Sequence, residues 1–211
     1  MNIQVVEVTK RIRRNLILDN VSLEMESGNI YGLQGPNGSG KTMLMRLLCG
    51  LIKANKGKVL LDGKEIGKDI DFPESVGLLI ENPAFWGNYT GLKNLELLAE
   101  LQKRIDTEQI RETISDVGLD PDDKRHFSKY SLGMKQRLGI AAAIMEKPEI
   151  ILLDEPTNAL DERGVAEICD LIRREKERGA LIVIACHDAD ILEDLADEIY
   201  TIYEGKVERK R

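Results

Sequence analysis

The apolar and polar positions fall into short strand-like runs toward both ends of the chain, with helix-like runs between them. Ile3 to Val8 alternates loosely, and Leu18 to Met25 alternates before the turn Ser27-Gly28, so both read as strands. Asn29 to Gln34 is a short apolar run that predicts a buried strand. Met43 to Cys49 predicts a helix with an apolar face. Lys58 to Leu61, closed by Asp62-Gly63, has the form of a hairpin strand and its turn. Two early strands and a hairpin predict an antiparallel layer. Val76 to Ile80 is continuously apolar, as in a buried parallel strand.

After Asn82-Pro83 the texture changes. Leucines at 92, 95, 98 and 101 predict a helix, and Asp106 to Val117 predicts a second, capped by Asp106 or Thr107. Leu119 to His126 is a polar connector, and Met134 to Glu146 a third helix. No buried strand is legible from Asn82 to about Ser131, which predicts a helical subdomain over approximately 82–135. The alternation then resumes. Ile150 to Leu153, Ala180 to Ala185 and Glu198 to Tyr203 read as strands, with helices over Glu162 to Glu177 and Asp190 to Ala196. Gly205 turns the chain into a last short strand. This order implies an α/β fold: a mostly parallel sheet flanked by helices on both faces, an antiparallel β subdomain and an inserted α-helical subdomain. No linker divides the chain, so 1–211 reads as a single domain.

Composition narrows the function classes. The net charge of −7 argues against a nucleic-acid partner, and the basic runs at Lys10-Arg11, Arg13-Arg14 and Arg209-Lys210-Arg211 read as solvated ends. No apolar run reaches membrane-span length, and the start MNIQVVEVTK has no signal-peptide core. Cys49, Cys169 and Cys186 are scattered in apolar contexts, as buried thiols of a reducing cytoplasm would be. With only two histidines and no zinc spacing, a histidine-rich metal site is excluded.

The candidate chemistry starts at Gly35-Pro36-Asn37-Gly38-Ser39-Gly40-Lys41-Thr42, which fits G-x-x-x-x-G-K-[ST]. It lies between a strand and a helix, where a glycine-rich turn leaves backbone N–H groups aimed at one spot. The helix N-terminus adds about half a positive charge. Lys41 can reach β- and γ-phosphates, and the Thr42 hydroxyl can ligate Mg²⁺. A phosphate-loop NTPase core is therefore predicted. Ile150 to Leu153 then runs into Asp154-Glu155, two carboxylates at the tip of a strand expected beside the phosphate loop. Asp154 would belong to the Mg²⁺ shell, and Glu155 would orient the water that attacks the γ-phosphate. His187, just past the strand Ala180 to Ala185, is placed to sense the γ-phosphate.

Tyr130-Ser131-Leu132-Gly133-Met134-Lys135-Gln136-Arg137 resembles the L-S-G-G-Q-x-Q-R segment of ABC ATPases. Asn158-Ala159-Leu160-Asp161 resembles that family's D-loop, and His187 its switch histidine. The resemblance covers essentially the whole chain. It implies a two-fold sandwich, a homodimer or heterodimer of ATPase domains, with each ATP between one phosphate loop and the other subunit's Ser131 and Gly133 region. Asp161 joins the nucleotide contacts. A serine hydroxyl and the N-terminal turn of a helix suit an anion, and Ser131 also suits an N-cap.

Three positions depart from the family pattern. The signature reads Y-S-L-G-M, a variant resembling exporters of the bacitracin and lantibiotic-immunity type. Glu81, in I-E-N-P-x-F, stands where the family has a glutamine that approaches Mg²⁺ or the attacking water. Ile12 stands where an aromatic residue stacks on adenine. The resemblance implies the ATP-binding and hydrolysing subunit of an ABC exporter, driving separate transmembrane permease subunits from the inner face of the cell membrane, with peptide antibiotic or drug efflux as the expected use. Phe85, Trp86 and Tyr89 are candidates for the permease contact, with packing of the helical subdomain as the alternative. A soluble non-transport ABC ATPase, for example of the iron–sulfur assembly type, is the alternative reading. A stand-alone NTP switch is a third, disfavoured by the signature segment.

Overall fold

The structure, a computed structural model, describes residues 1–210. Arg211, the last residue of the terminal basic run, lies outside the described residues. Arg209 and Lys210 are exposed. Two sheets organise the chain. The first joins β1 (Asn2–Ile12), β2 (Asn15–Glu26), β4 (Lys56–Leu61) and β5 (Lys64–Glu65) in the order β2-β1-β4-β5, all antiparallel. The second joins β3 (Ile30–Gln34), β6 (Val76–Leu79), β7 (Ile150–Asp154), β8 (Leu181–Ala185), β9 (Glu198–Tyr203) and β10 (Lys206–Arg209) in the order β10-β9-β3-β8-β7-β6. Only the β9–β10 hairpin in it is antiparallel. Because β3, β7 and β8 run in parallel, their C-terminal ends share one edge of the sheet, where ligands of open α/β sheets gather.

Strand alternation assigns the two faces. Ile151 and Leu153 of β7 point into the core shared with α4 (Leu132–Ile144), α5 (Glu162–Glu177) and α6 (Ala189–Leu195). Ile150 and Leu152 point the other way, toward α1 (Lys41–Leu48) and the antiparallel sheet. Helices therefore cover both faces, and one cover is shared with the β subdomain. Between β6 and α4 lie α2 (Gly91–Gln102), α3 (Thr107–Asp116) and a short 3-10 turn at Phe127–Lys129. Thr90 caps α2, and Asp106 caps α3 in a full capping box with Gln109. Arg137 of α4 ties the insertion to the core, bonding the Val117 carbonyl after α3 and, at 2.9 Å, Glu167 of α5.

Three sequence expectations gain detail. Val76 to Leu79 forms a parallel strand, as expected, at the edge of the sheet: β6 pairs with β7, and α4 covers one face so closely that a Cβ at Gly77 would meet the Ala143 carbonyl at 1.7 Å. Leu101 is 80% exposed although Leu95 is buried. Leucines spaced by three fall back about 60° per step on a 3.6-residue helix, so the fourth lies opposite the first. The strand carrying Asp154 reaches the phosphate loop as expected, Asp154 meeting Thr42, although β8 lies between β7 and β3. The three cysteines are free and buried as expected. Among the described residues, no helix is long and apolar enough to cross a membrane.

Candidate functional site

The phosphate loop spans the gap between β3 and α1, at the shared edge of the parallel strands. Close packing requires its glycines. A Cβ at Gly35 would stand 2.3 Å from the Ile202 carbonyl oxygen. Gly40 has φ 115, a left-handed conformation that side-chain-bearing residues avoid, and it opens α1 directly. Lys41 is buried, and its Nζ donates to the Gly35 carbonyl at 2.6 Å. The ammonium thus lies folded over the loop it serves.

The other strand ends supply the acids. Asp154 ends β7, and its Oδ2 accepts from the Thr42 hydroxyl at 2.7 Å. Burial pushes the Asp154 carboxyl above its ordinary range. The Thr42 hydrogen bond opposes this, and the neighbouring Glu155 charge reinforces it. Glu155 follows with φ 51, unusual for a side-chain-bearing residue. Its backbone is held from two sides: its N–H donates to the Ala185 carbonyl at 2.8 Å, and Gln136 Nε2 donates to its own carbonyl at 2.8 Å. Its Oε2 lies 2.7 Å from His187 Nδ1, just beyond β8. The three polar strand-tip residues are thus brought together, and β8 places His187 beside Glu155.

An open cleft of about 740 Å³ joins the phosphate loop to the two acids, and His187 lies outside its lining. Asn37, Gly38, Ser39, Gly40, Lys41 and Thr42 line it, opposite Glu81, Asp154 and Glu155. Ile12, 43% exposed, forms an apolar shelf with Ile17 at the turn end of the β1–β2 hairpin. Ile17, Asn82, Gln136 and Asn158 are lining residues that the sequence reading missed. Gln136, Asn158 and Asn82 lie inside the signature, D-loop and I-E-N-P-x-F segments, which were the available signal, while Ile17 belongs to no spaced motif. Gly35 and Pro36 form the neck of the loop outside the lining. Glu81 is ion-paired with Arg46 at 2.5 Å.

The structure does not gather every expected nucleotide residue into this cleft. Ser131, Gly133 and Asp161 do not line it. Ser131 caps α4, its Oγ accepting from the Met134 N–H at 3.2 Å, and Asp161 caps α5, its Oδ1 accepting from the Gly164 N–H at 2.9 Å. Phe85 packs edge-on against Phe127 at 5.1 Å and is part of the core of the insertion. Trp86 and Tyr89 are exposed. Their backbone is fastened by the fully buried Asn94, which accepts from the Trp86 N–H at 2.8 Å and donates to the Trp86 and Thr90 carbonyls at 3.1 and 2.9 Å.

The cleft fits a triphosphate with a divalent cation. The buried Ser39 hydroxyl and Glu155 Oε1 have no hydrogen-bond partner within the chain, so each is open to a ligand. Three carboxylates converge where only Lys41 lines the cleft as a cation, which a bound cation would relieve.

Residues 18–158 match the model of the ABC transporter family. An uncharacterised ABC transporter ATP-binding protein, YybJ of Bacillus subtilis (strain 168), is 48% identical over 98% of this chain and 94% of its own length. The bacitracin transport ATP-binding protein BcrA of Enterococcus faecalis is 40% identical over 96% of this chain and 67% of its own. The lantibiotic transport ATP-binding protein SrtF of Streptococcus pyogenes is 35% identical over 97% and 88%. Among solved structures, the dimeric bacterial ABC transporter cassette MJ0796 superposes with a TM-score of 0.88 at 26% identity, covering 98% of this chain and 97% of that one. The same cassette in a dimeric post-hydrolysis state with ADP and Pi gives 0.87 at 25% identity, over 98% and 97%. These relatives favour transport over the soluble alternative. With a phosphate loop and an acid-tipped strand meeting in one cleft, and a histidine bonded to the second acid from outside its lining, the chain belongs to the ABC transporter family, as an ATP-binding and ATP-hydrolysing subunit.

Proposed function

We propose that the chain, acting as one domain over 1–211 with a helical subdomain at about 82–135, hydrolyses ATP at an interface with a second ATPase domain and so drives a separate membrane permease. The observation that carries the catalytic part is the Glu155 carboxylate, 2.7 Å from His187 Nδ1 and with one oxygen free of partners, at the mouth of the phosphate loop. The backbone N–H groups from Asn37 to Thr42 hold the β- and γ-phosphates, with Lys41 leaving the Gly35 carbonyl to join them. Ile12 and Ile17 pack on the base. Thr42 and Asp154, with Glu81 near them, hold Mg²⁺. When bound, the ion would offset the negative charge of the phosphates. Glu155 accepts hydrogen bonds from the attacking water, and His187 keeps that carboxylate aimed while reading the γ-phosphate. Ser131, Gly133 and Asp161, which do not line the chain's own cleft, serve the nucleotide of the partner domain.

The transport part rests on the named relatives. Peptide-antibiotic efflux is the proposed use, at the cytoplasmic face of the membrane. Trp86 and Tyr89, exposed on a loop fastened by Asn94, form the permease contact. The deciding experiment is Glu155→Gln. Nucleotide binding should persist, hydrolysis should fall by about 10²-fold or more, and a dimer should accumulate with ATP in gel filtration. Near-normal turnover would remove Glu155 from this role.

A further inference from the structure

Glu81 brings a third carboxylate to a cleft that already holds Asp154 and Glu155. Like charges at such spacing are costly without a cation. The chain supplies one outside the cleft lining. Arg46 lies one helical turn after Thr42 on α1, on the same side of the helix, and its Nη2 meets Glu81 Oε1 at 2.5 Å. Glu81 has φ 64, a left-handed conformation that a non-glycine residue adopts only when its surroundings hold it. The ion pair joins the phosphate-loop helix to the segment that leads from β6 into the helical insertion. Its Glu81 side chain is 62% exposed, so the carboxylate is free to swing between partners.

We propose that Arg46 is a positioning residue for Glu81: it neutralises the carboxylate and keeps it beside the cation site, where a divalent cation competes with the guanidinium for it. The proposal rests on the cation reading given above. As a neutral unit, the pair leaves the net charge around the cation unchanged, and removing either half unbalances it. Removing Arg46 leaves a free carboxylate, which draws a cation in. Removing the Glu81 charge leaves a free guanidinium, which repels one. Removing both restores the balance.

The test is Mn²⁺ affinity of the ADP-bound protein, read from the free-ion electron paramagnetic resonance signal. Arg46→Met should bind Mn²⁺ about threefold more tightly and Glu81→Gln about threefold more weakly, on the scale of an exposed ion pair. The double variant should return to within about twofold of the unmodified protein, and Arg46→Lys, which keeps the charge, should stay there too. The opposed shifts should shrink as salt rises. If both single variants weaken binding and the double weakens it further, the pair is only structural and the proposal falls. Unchanged affinity in all variants also overturns it. If the unmodified complex takes up no Mn²⁺ at all, the cation reading itself fails, which is distinct from a failure of the pair.

Discussion

The carboxyl of Asp154 is a compromised charge: buried at a strand end, beside Glu155, with one hydroxyl for support. Its folded-state pKa lies above the unfolded value, so the folded chain binds its proton more tightly than the unfolded chain does. Stability is then lost as pH rises from the unfolded carboxylate value of about 3.9 through the raised folded value, and the loss persists at neutral pH. Asp154→Asn removes that charge. In the nucleotide-free protein it should raise the melting temperature at pH 7, each kcal/mol relieved reading as about 2–4 °C for a chain of this size. The gap should close as pH is lowered toward about 4. Adding magnesium to the ATP-bound protein should stabilise the unmodified chain more than the variant, which keeps the phosphate loop but lacks the Asp154 charge. Calorimetry across pH checks this, and a gap that ignores pH would refute it. Residues of this kind were legible because each belongs to a short spaced pattern ending a strand: Lys41 and Thr42 after β3, Asp154 and Glu155 after β7, His187 after β8. Gln136 bonding the Glu155 carbonyl, and Ile17 beside Ile12, were not read, because their roles depend on which distant segment they meet.

At the scale of elements, periodicity located the strands and helices well and their surroundings less well. α4 begins at Leu132, two residues before the apolar run predicts, because the Ser131 cap sets the start. β6 is the parallel strand its composition predicts but sits at the sheet edge, with Leu79 in the cluster that α4 shares and Val76 and Leu78 packed against the cluster on the other face. Asn94 illustrates what a pattern cannot carry. It lies one turn into α2, fully buried, and three of its hydrogen bonds close the 86–90 loop. Asn94→Ala would strip the Trp86 N–H of its partner and open a small void. The expected cost is about 1–3 kcal/mol for each buried polar group left unsatisfied. Trp86 is the only tryptophan, so its fluorescence reports this loop alone. Acrylamide quenching of that emission should increase in the variant while ATP binding stays intact. Unchanged quenching would mean that the loop is held by something other than Asn94.

For the whole molecule, the decisive feature is where the two ends of the nucleotide chemistry lie. The phosphate loop, Asp154, Glu155 and His187 share the C-terminal edge of one sheet. Ser131 and Gly133 lie outside the cleft, at the exposed start of α4. Gln136, on that same helix, bonds the Glu155 carbonyl, so one rigid element spans the outward half-site and the inward one. Such an arrangement is useful if a second copy completes each cleft, as a closed two-fold pair would do. Ser131→Arg should then disable the partner's site while leaving the chain's own loop intact. Its fold should survive, since losing an exposed cap costs about 1 kcal/mol. Lys41→Ala should disable the chain's own loop and leave its Ser131 usable. Each variant alone should be inactive. Mixed in equal amounts and allowed to exchange, half of the dimers pair one variant with the other, and each such dimer regains one complete site. If one site suffices for turnover, about one quarter of the unmodified activity should return. Recovery that tracks the mixing ratio and peaks at equal amounts would establish the composite site. Absence of recovery, with both variants folded and exchange confirmed, would mean that Ser131 does not act across a pair of these chains.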